Sequence, residues 1–145
     1  MVLLLIGMHT EFRRLTIVKI RKPVKKEINQ DLQWFCSTLG LFSLRDKNSS
    51  CFRIFVELLK AARDNRPVSS DEIGYRLGLS RGTVVHHLNR LIDSGLIIPD
   101  KNGYVLRVSS LGELVELIKK DTEGIFQNLR DIAKDLDDDL NLDMR

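Results

Sequence analysis

The sequence predicts an α/β chain, mainly α, organised around two short helices with a tight joint and a β-hairpin that follows them. Three observations predict it. The run from Ser69 to Ser94 carries cap and stop signals at helical spacing. Gly95-Leu96-Ile97-Ile98 and Tyr104-Val105-Leu106-Arg107-Val108 bracket an Asn102-Gly103 turn. From Leu111 onward, apolar residues recur at alternating steps of four and three.

The helix pair comes first. Ser69 is a good N-cap, and Glu72 stands three residues on, as a capping box requires. Ile73 and Leu77 share a face one turn apart. Gly78 stops the first helix, because it tolerates the left-handed conformation a helix end needs. Ser80 caps the second helix, whose inward stripe is Val84, Leu88 and Leu91. Gly82, His86, Asn89 and Asp93 then point outward, flanked by Thr83, Val85 and Arg90. A solvated helix more commonly shows Glu and Lys there. This one shows short or planar hydrogen-bonding groups beside Arg81 and Arg90, and Gly82 keeps its first turn slim. Such a surface suits a helix whose first turns enter a DNA major groove. An ordinary helical hairpin with a polar face is the plain alternative. Gly95 ends the second helix and leads into a strand, and Asn102-Gly103 favours a hairpin turn with positive φ at both positions.

The flanks are less regular. Met1-Val2-Leu3-Leu4-Leu5-Ile6-Gly7 is apolar but far short of the roughly 20 residues a bilayer span needs. It also lacks a preceding basic region. A gene-model extension with Met8 as the start, a short strand and a dimer-swapped arm all fit it. Phe12 to Ile20 reads as a strand that Lys22-Pro23 ends; pairing with the hairpin, reaching across a dimer or lying along DNA as a basic arm are all compatible with it. Lys26 to Leu39 reads as a helix, with Ile28, Leu32, Phe35 and Leu39 in register and Gly40 as its C-cap. Trp34, Phe35 and Phe42 form a cluster that lines a ligand pocket or belongs to the core or a dimer contact. Arg45 to Ser50 is a polar loop, and Ser50 is placed to cap a helix from Cys51 to Arg63. That helix carries Phe52, Phe55, Val56, Leu59 and Ala62 on one side, and Asp64-Asn65-Arg66-Pro67 closes it. After the hairpin, Ser110 and Glu113 repeat the capping box. Leu111, Val115, Ile118, Thr122, Ile125, Leu129, Ile132 and Leu136 then form a heptad seam, which favours a dimer contact over packing back onto the same domain. Gly124 costs about 1 kcal/mol of helix propensity relative to Ala, so a bend is expected there.

Helix, turn, helix, then hairpin is the winged-helix order. The string Leu79-Ser80-Arg81-Gly82-Thr83-Val84-Val85-His86-His87-Leu88, followed by Leu91 and Gly95-Leu96-Ile97, resembles the recognition-helix region of ArsR- and MarR-type transcriptional regulators. The resemblance covers roughly Cys51 to Ser109. It implies a winged helix-turn-helix domain over 50–109; outside it, the spacing and charge read as a strand-and-helix extension over 1–49 and a C-terminal dimerisation helix with an acidic tail over 110–145. It also implies a short strand at Val68 against the wing, and a DNA-facing role for the His86-His87 pair, although by helical position His86 faces outward while His87 lies nearer the core edge, where packing is the alternative. Metal-sensing members carry a cysteine pair on the helix before the recognition helix, or acids and histidines on the last helix. Here Asp71 to Leu77 has no cysteine and the last helix no histidine, so metal sensing is not expected.

Composition sets the outer bounds. The chain has 145 residues and is 43% hydrophobic, enough for one packed domain with additions. A net charge of +3 hides a basic front, Arg13, Arg14, Lys19, Arg21, Lys22, Lys25 and Lys26, and an acidic tail from Asp131 to Asp143. The front suggests an anionic partner. Cys36 and Cys51 lie in apolar helical surroundings outside any C-x-x-C spacing, and read as buried free thiols in a reducing cytoplasm. His86 and His87 diverge by about 100° on a helix and cannot grip one metal from the same face. No Walker loop, H-E-x-x-H or dinucleotide fingerprint is present, so no enzyme and no cofactor are expected.

The sequence therefore points to a sequence-specific double-stranded DNA-binding transcriptional regulator acting as a homodimer. Thr83, Val85, His86 and Asn89 are the base-edge candidates. Ser80, Arg81, Arg90, Lys101 and Arg107 are the phosphate candidates, with Tyr75 and Arg76 as further backbone contacts. Leu111, Val115, Ile118, Ile125, Leu129, Ile132 and Leu136 are the dimer candidates. Two other classes stay open. One is a winged-helix protein-interaction module of a transcription or replication assembly. The other is a sensor with an unidentified small-molecule effector between the Trp34 helix and the last helix.

Overall fold

A computed structural model describes residues 13–43 and 45–142. Among them, five helices and one antiparallel hairpin form: α1 Ile28–Thr38, α2 Ser50–Arg63, α3 Ser70–Leu77, α4 Arg81–Asp93, β1 Ile97–Asp100, β2 Gly103–Leu106 and α5 Leu111–Leu140. The expectations for Met1 to Gly7, Met8 and Phe12 fall outside the described residues. The chain divides into two units at Ser109 and Ser110.

In the first unit, α2 backs the α3–α4 pair and the hairpin. Ile54, Phe55 and Leu58 of α2, Ile73 of α3, Val84, Leu88 and Leu91 of α4, and Leu96 and Ile97 form one buried core. The α4 stripe is the one the spacing predicts. The α2 face is not. Cys51, Ile54, Phe55, Leu58 and Ala61 are its buried residues, whereas Phe52, Val56, Leu59 and Ala62 are half-buried. Apolar residues occupy most of this helix's circumference, so spacing alone does not select the buried side.

The caps follow the sequence in α3, α4 and α5. Ser69 Oγ accepts from Glu72 N at 3.1 Å, Ser80 Oγ from Thr83 N at 3.2 Å, and Ser110 Oγ from Glu113 N at 3.2 Å. Gly78 takes the left-handed conformation at the α3 end, at φ 66°. At α2 the capping expectation is corrected. Ser50 is the first helical residue and caps nothing; Asp46 does the work from upstream. Its carboxylate accepts from Ser50 N at 2.8 Å and Cys51 N at 2.9 Å, satisfying amides that have no partner inside the helix.

The hairpin pairs Ile97 with Leu106 through Asp100 with Gly103. Its turn is therefore centred on Lys101-Asn102, not on Asn102-Gly103, and neither central residue has positive φ. Asp100 Oδ1 accepts from Asn102 N at 3.2 Å and stabilises the turn in its place. Gly103 has a different task. Val68 forms a two-way bridge with Tyr104, at 3.0 and 2.8 Å, as the resemblance implies. A Cβ at Gly103, held at φ 147°, would collide with the Val68 carbonyl. The returning strand ends at Leu106 rather than Val108.

The segment from Arg13 to Ile20 has no regular secondary structure and is not a strand. Its amides go to helix ends instead of a ladder. Arg14 N donates to Asp93 O, the last residue of α4, and Val18 N to Thr38 O, the last residue of α1, both at 2.8 Å. These carbonyls lack helical partners, so the segment closes two helices. Helix α1 begins at Ile28 rather than Lys26, and Ile28 is 83% exposed; Cys36, not the predicted stripe, is its buried residue. The expected aromatic cluster is dispersed. Trp34 Nε1 donates to Ile20 O at 3.1 Å, and Phe42 stacks on Phe52 with ring centroids 4.8 Å apart.

The second unit is α5, one helix that continues without interruption through Gly124. Leu114 and Ile118 are its buried residues. Ile118 is thus withdrawn from the open part of the seam. Ile125, Leu129, Ile132 and Leu136 are exposed.

Candidate nucleic-acid interface

Helix α4 is rigidly carried. Val84, Leu88 and Leu91 are wholly buried on its inner side. The α3–α4 joint is tied to α2 where Arg53 Nη2 donates to Leu77 O at 2.9 Å. On the outer side Arg81, Gly82, Val85, His86 and Asn89 are all exposed. The surface that the spacing assigns to the major groove is therefore open.

The remaining predicted residues fall into distinct environments. Ser80 and Thr83 are engaged with each other, Ser80 Oγ donating to Thr83 Oγ1 at 2.9 Å. Arg90 is half-buried and directs Nη2 to Gly40 O at 3.4 Å. Arg107 is half-buried and directs Nη1 to Gly95 O at 3.4 Å. Both guanidinium groups thus help hold the domain, leaving Arg81 and Lys101 as the exposed cations of the predicted set. Arg76 lies between Glu57 and Glu72, at 3.5 and 3.4 Å, while Arg66 also pairs with Glu72 at 2.9 Å. Tyr75, next to it, is 91% exposed.

His87 departs from its neighbour. His86 faces outward, whereas His87 is only 6% exposed and its Nδ1 has no hydrogen-bond partner among the described residues. Its Nε2 lies 4.0 Å from Asp46 Oδ2. Burial lowers the His87 pKa; Asp46 opposes that, and His86 and Arg90 add to it. Burial pushes the Asp46 carboxyl up, but the amides of Cys51 and Ser50, together with His87, bring it below its usual value.

Sequence reasoning gave the 45–50 loop no part in the site. The structure places it beside α4, and the two enclose a groove of about 670 Å³. Arg45, Asp46, Lys47 and Asn48 line one wall; Gly82, Thr83, His86, His87 and Arg90 line the other. At about 100° per residue, Thr83, His87 and Arg90 occupy one flank of the helix, so the loop covers that flank and leaves the Val85–Asn89 side clear. Neither this groove nor a cleft of about 300 Å³ between α2 and β2 is lined by Trp34, Phe35 or Phe42.

Other chemistry is weakly supported. The expectation of no catalytic motif overlooks Gly78-Leu79-Ser80-Arg81-Gly82, which has the G-x-S-x-G spacing of a nucleophile elbow. That motif needs a strand-to-helix turn. Here Ser80 sits between two helices with its hydroxyl committed to capping. Cys36 and Cys51 are free and buried. Burial raises their pKa values to about 12 and about 11, so both stay protonated near neutral pH. Among the described residues no group of three His, Cys, Asp or Glu could hold a metal ion, and no helix is long and apolar enough to cross a membrane.

Residues 56–98 match a family model described as winged helix-turn-helix DNA-binding. No match was found among curated proteins or solved structures.

Proposed function

We propose, from the premise that residues 56–98 are a winged helix-turn-helix DNA-binding domain, that the protein is a sequence-specific transcriptional regulator working as a homodimer. The observation that carries this reading is the open outer side of α4, with Gly82, Val85, His86 and Asn89 exposed on a helix whose inner side is locked into the core. Asn89 is suited to a bidentate contact with adenine, and Val85 to a thymine methyl. His86 completes the base-facing set, whereas Thr83 lies on the flank beside the loop with its hydroxyl engaged by Ser80. Arg81 and Lys101 are suited to phosphates, which set register without reading sequence. Ser80, Arg90 and Arg107 reach the backbone only from positions already tied to the fold.

Pairing rests on α5. Two copies joined along Ile125, Leu129, Ile132 and Leu136 would present two α4 helices to successive major grooves about 34 Å apart. Leu111 and Val115 extend the same seam toward the helix start.

Selection of bound fragments from random and genomic duplexes by the purified full chain tests the reading. Enrichment of a two-fold symmetric site with salt-sensitive affinity is expected. Retention of all fragments alike would remove sequence specificity, and no salt-sensitive retention would remove DNA binding itself.

A further inference from the structure

The groove between the 45–50 loop and α4 has a chemistry of its own. Arg45, Lys47 and Arg90 face it with one carboxylate, Asp46. Both Asp46 oxygens already accept backbone amides. Arg45 and Lys47 are exposed, and neither side chain makes an ion pair among the described residues. The groove therefore carries an excess of uncommitted positive charge.

Its position supplies the second argument. A helix with its side chains is about 10–12 Å across, and the major groove of B-DNA is about 12 Å wide. A helix seated there has a sugar-phosphate strand immediately on each flank. On the Thr83–His87–Arg90 flank of α4, the element standing alongside is this loop.

The loop is also fixed in place. Asp46 joins it to the start of α2 and stands 4.0 Å from His87 on α4. Arg45 and Lys47, on either side of Asp46 in sequence, are thereby held at a set distance from the recognition helix.

We propose that the groove seats one sugar-phosphate strand of the duplex whose major groove receives α4, with Arg45 and Lys47 on its phosphates and Asn48 as a neutral donor beside them. This rests on the DNA reading above and adds a backbone contact from outside the helix-turn-helix. The contact sets orientation and carries no sequence information.

The test is the salt dependence of duplex binding by the full chain carrying Arg45→Ala and Lys47→Ala together. Each lost phosphate contact lowers the slope of log K against log salt by about 0.9. A slope shallower by about 1.8 is expected, equal on preferred and random duplexes. Lys60→Ala, an exposed lysine paired with Glu57 on α2, should leave the slope unchanged. Thermal melting checks folding, and the Gln pair at the same positions replaces the Ala pair if the latter does not fold. An unchanged slope in a wild-type protein that binds DNA overturns the proposal and leaves the DNA reading standing. So does a loss confined to one sequence, or an unchanged DNA slope with loss of inorganic phosphate binding, which would make the groove a small-anion site. Absence of salt-sensitive binding by the wild type would overturn both readings.

Discussion

Helices α4 and α5 each leave a long side in water, and the two sides have opposite chemistry. In α4 the apolar stripe of Val84, Leu88 and Leu91 is wholly buried, and what remains outside is Gly82, Val85, His86 and Asn89, with Arg81 at the helix start. In α5 the apolar residues themselves are outside: every residue from Glu123 to Leu140 is exposed, with Leu129 at 56%. Apolar surface left in water forgoes about 25 cal/mol for each Å² it could bury. The α4 face is stable as it stands and is free to discriminate among polar partners. The α5 face gains by being covered, and its heptad spacing fits another helix of the same kind. On the proposed function, recognition and assembly fall to separate helices, divided by where the hydrophobic effect has already been satisfied.

The largest effect expected from this contrast lies in α5. Leu129→Asp removes about 1.5–3 kcal/mol of burial from each copy and places a carboxylate in the seam. Light scattering should show monomers at concentrations where the wild type is dimeric, with the melting of the winged domain unaltered. A persistent dimer would mean that the exposed stripe is not the interface. On α4 the corresponding change is Asn89→Ala. It should weaken the preferred duplex by about 1–3 kcal/mol in a competition titration while leaving random duplex nearly unaffected. Equal losses on both would make the outer face a backbone contact.

The contrast between the two helices is visible in the sequence because each carries one dominant period. Val84, Leu88 and Leu91 admit a single inward side, and the seam from Ile125 to Leu136 keeps its step of four and three. Other features depend on partners far away in the chain. Helix α2 is apolar on both Phe52–Val56–Leu59 and Ile54–Leu58–Ala61, and the α4 and hairpin surfaces decide which side goes in. Residues 13–20 have the β-branched composition of a strand, but the open carbonyls of Thr38 and Asp93 claim their amides. The Asn-Gly pair would favour a turn of its own, yet the approach of the Val68 backbone reserves Gly103 for a different position. The 45–50 stretch reads only as a polar loop, because a carboxylate capping amides four and five residues ahead leaves no periodic mark.

A smaller effect separates the two kinds of arginine on α4. Arg81 is exposed, whereas Arg90 reaches Gly40 O. Arg81→Ala should make the salt slope shallower by about 0.9 with no change in melting temperature. Arg90→Ala should lower the melting temperature, since it removes a part-buried hydrogen bond worth about 1 kcal/mol. A loss of stability from Arg81→Ala would show that the rim of α4 is structural after all.

The smallest effect concerns the side of α4 turned toward Asp46. His87 is buried, its pKa lies below the 6.5 of an unfolded histidine, and Asp46, His86 and Arg90 are the charged or titratable groups facing it. As the pH falls through 6.5, the unfolded chain takes up a proton that the folded chain resists. This contribution to stability is complete above the unfolded value and is lost as the pH falls toward the folded one. Asp46 contributes in the same direction, but only below its usual 3.8, so its loss begins at a lower pH than that of His87. The melting temperature should therefore decline as the pH falls through 6.5, and His87→Gln should flatten that decline while leaving the fall at the Asp46 end of the scale in place. If the His87→Gln profile instead parallels the wild type, the imidazole on this flank is not the group that titrates. Asp46 would then hold the loop against α4 independently of His87's protonation state.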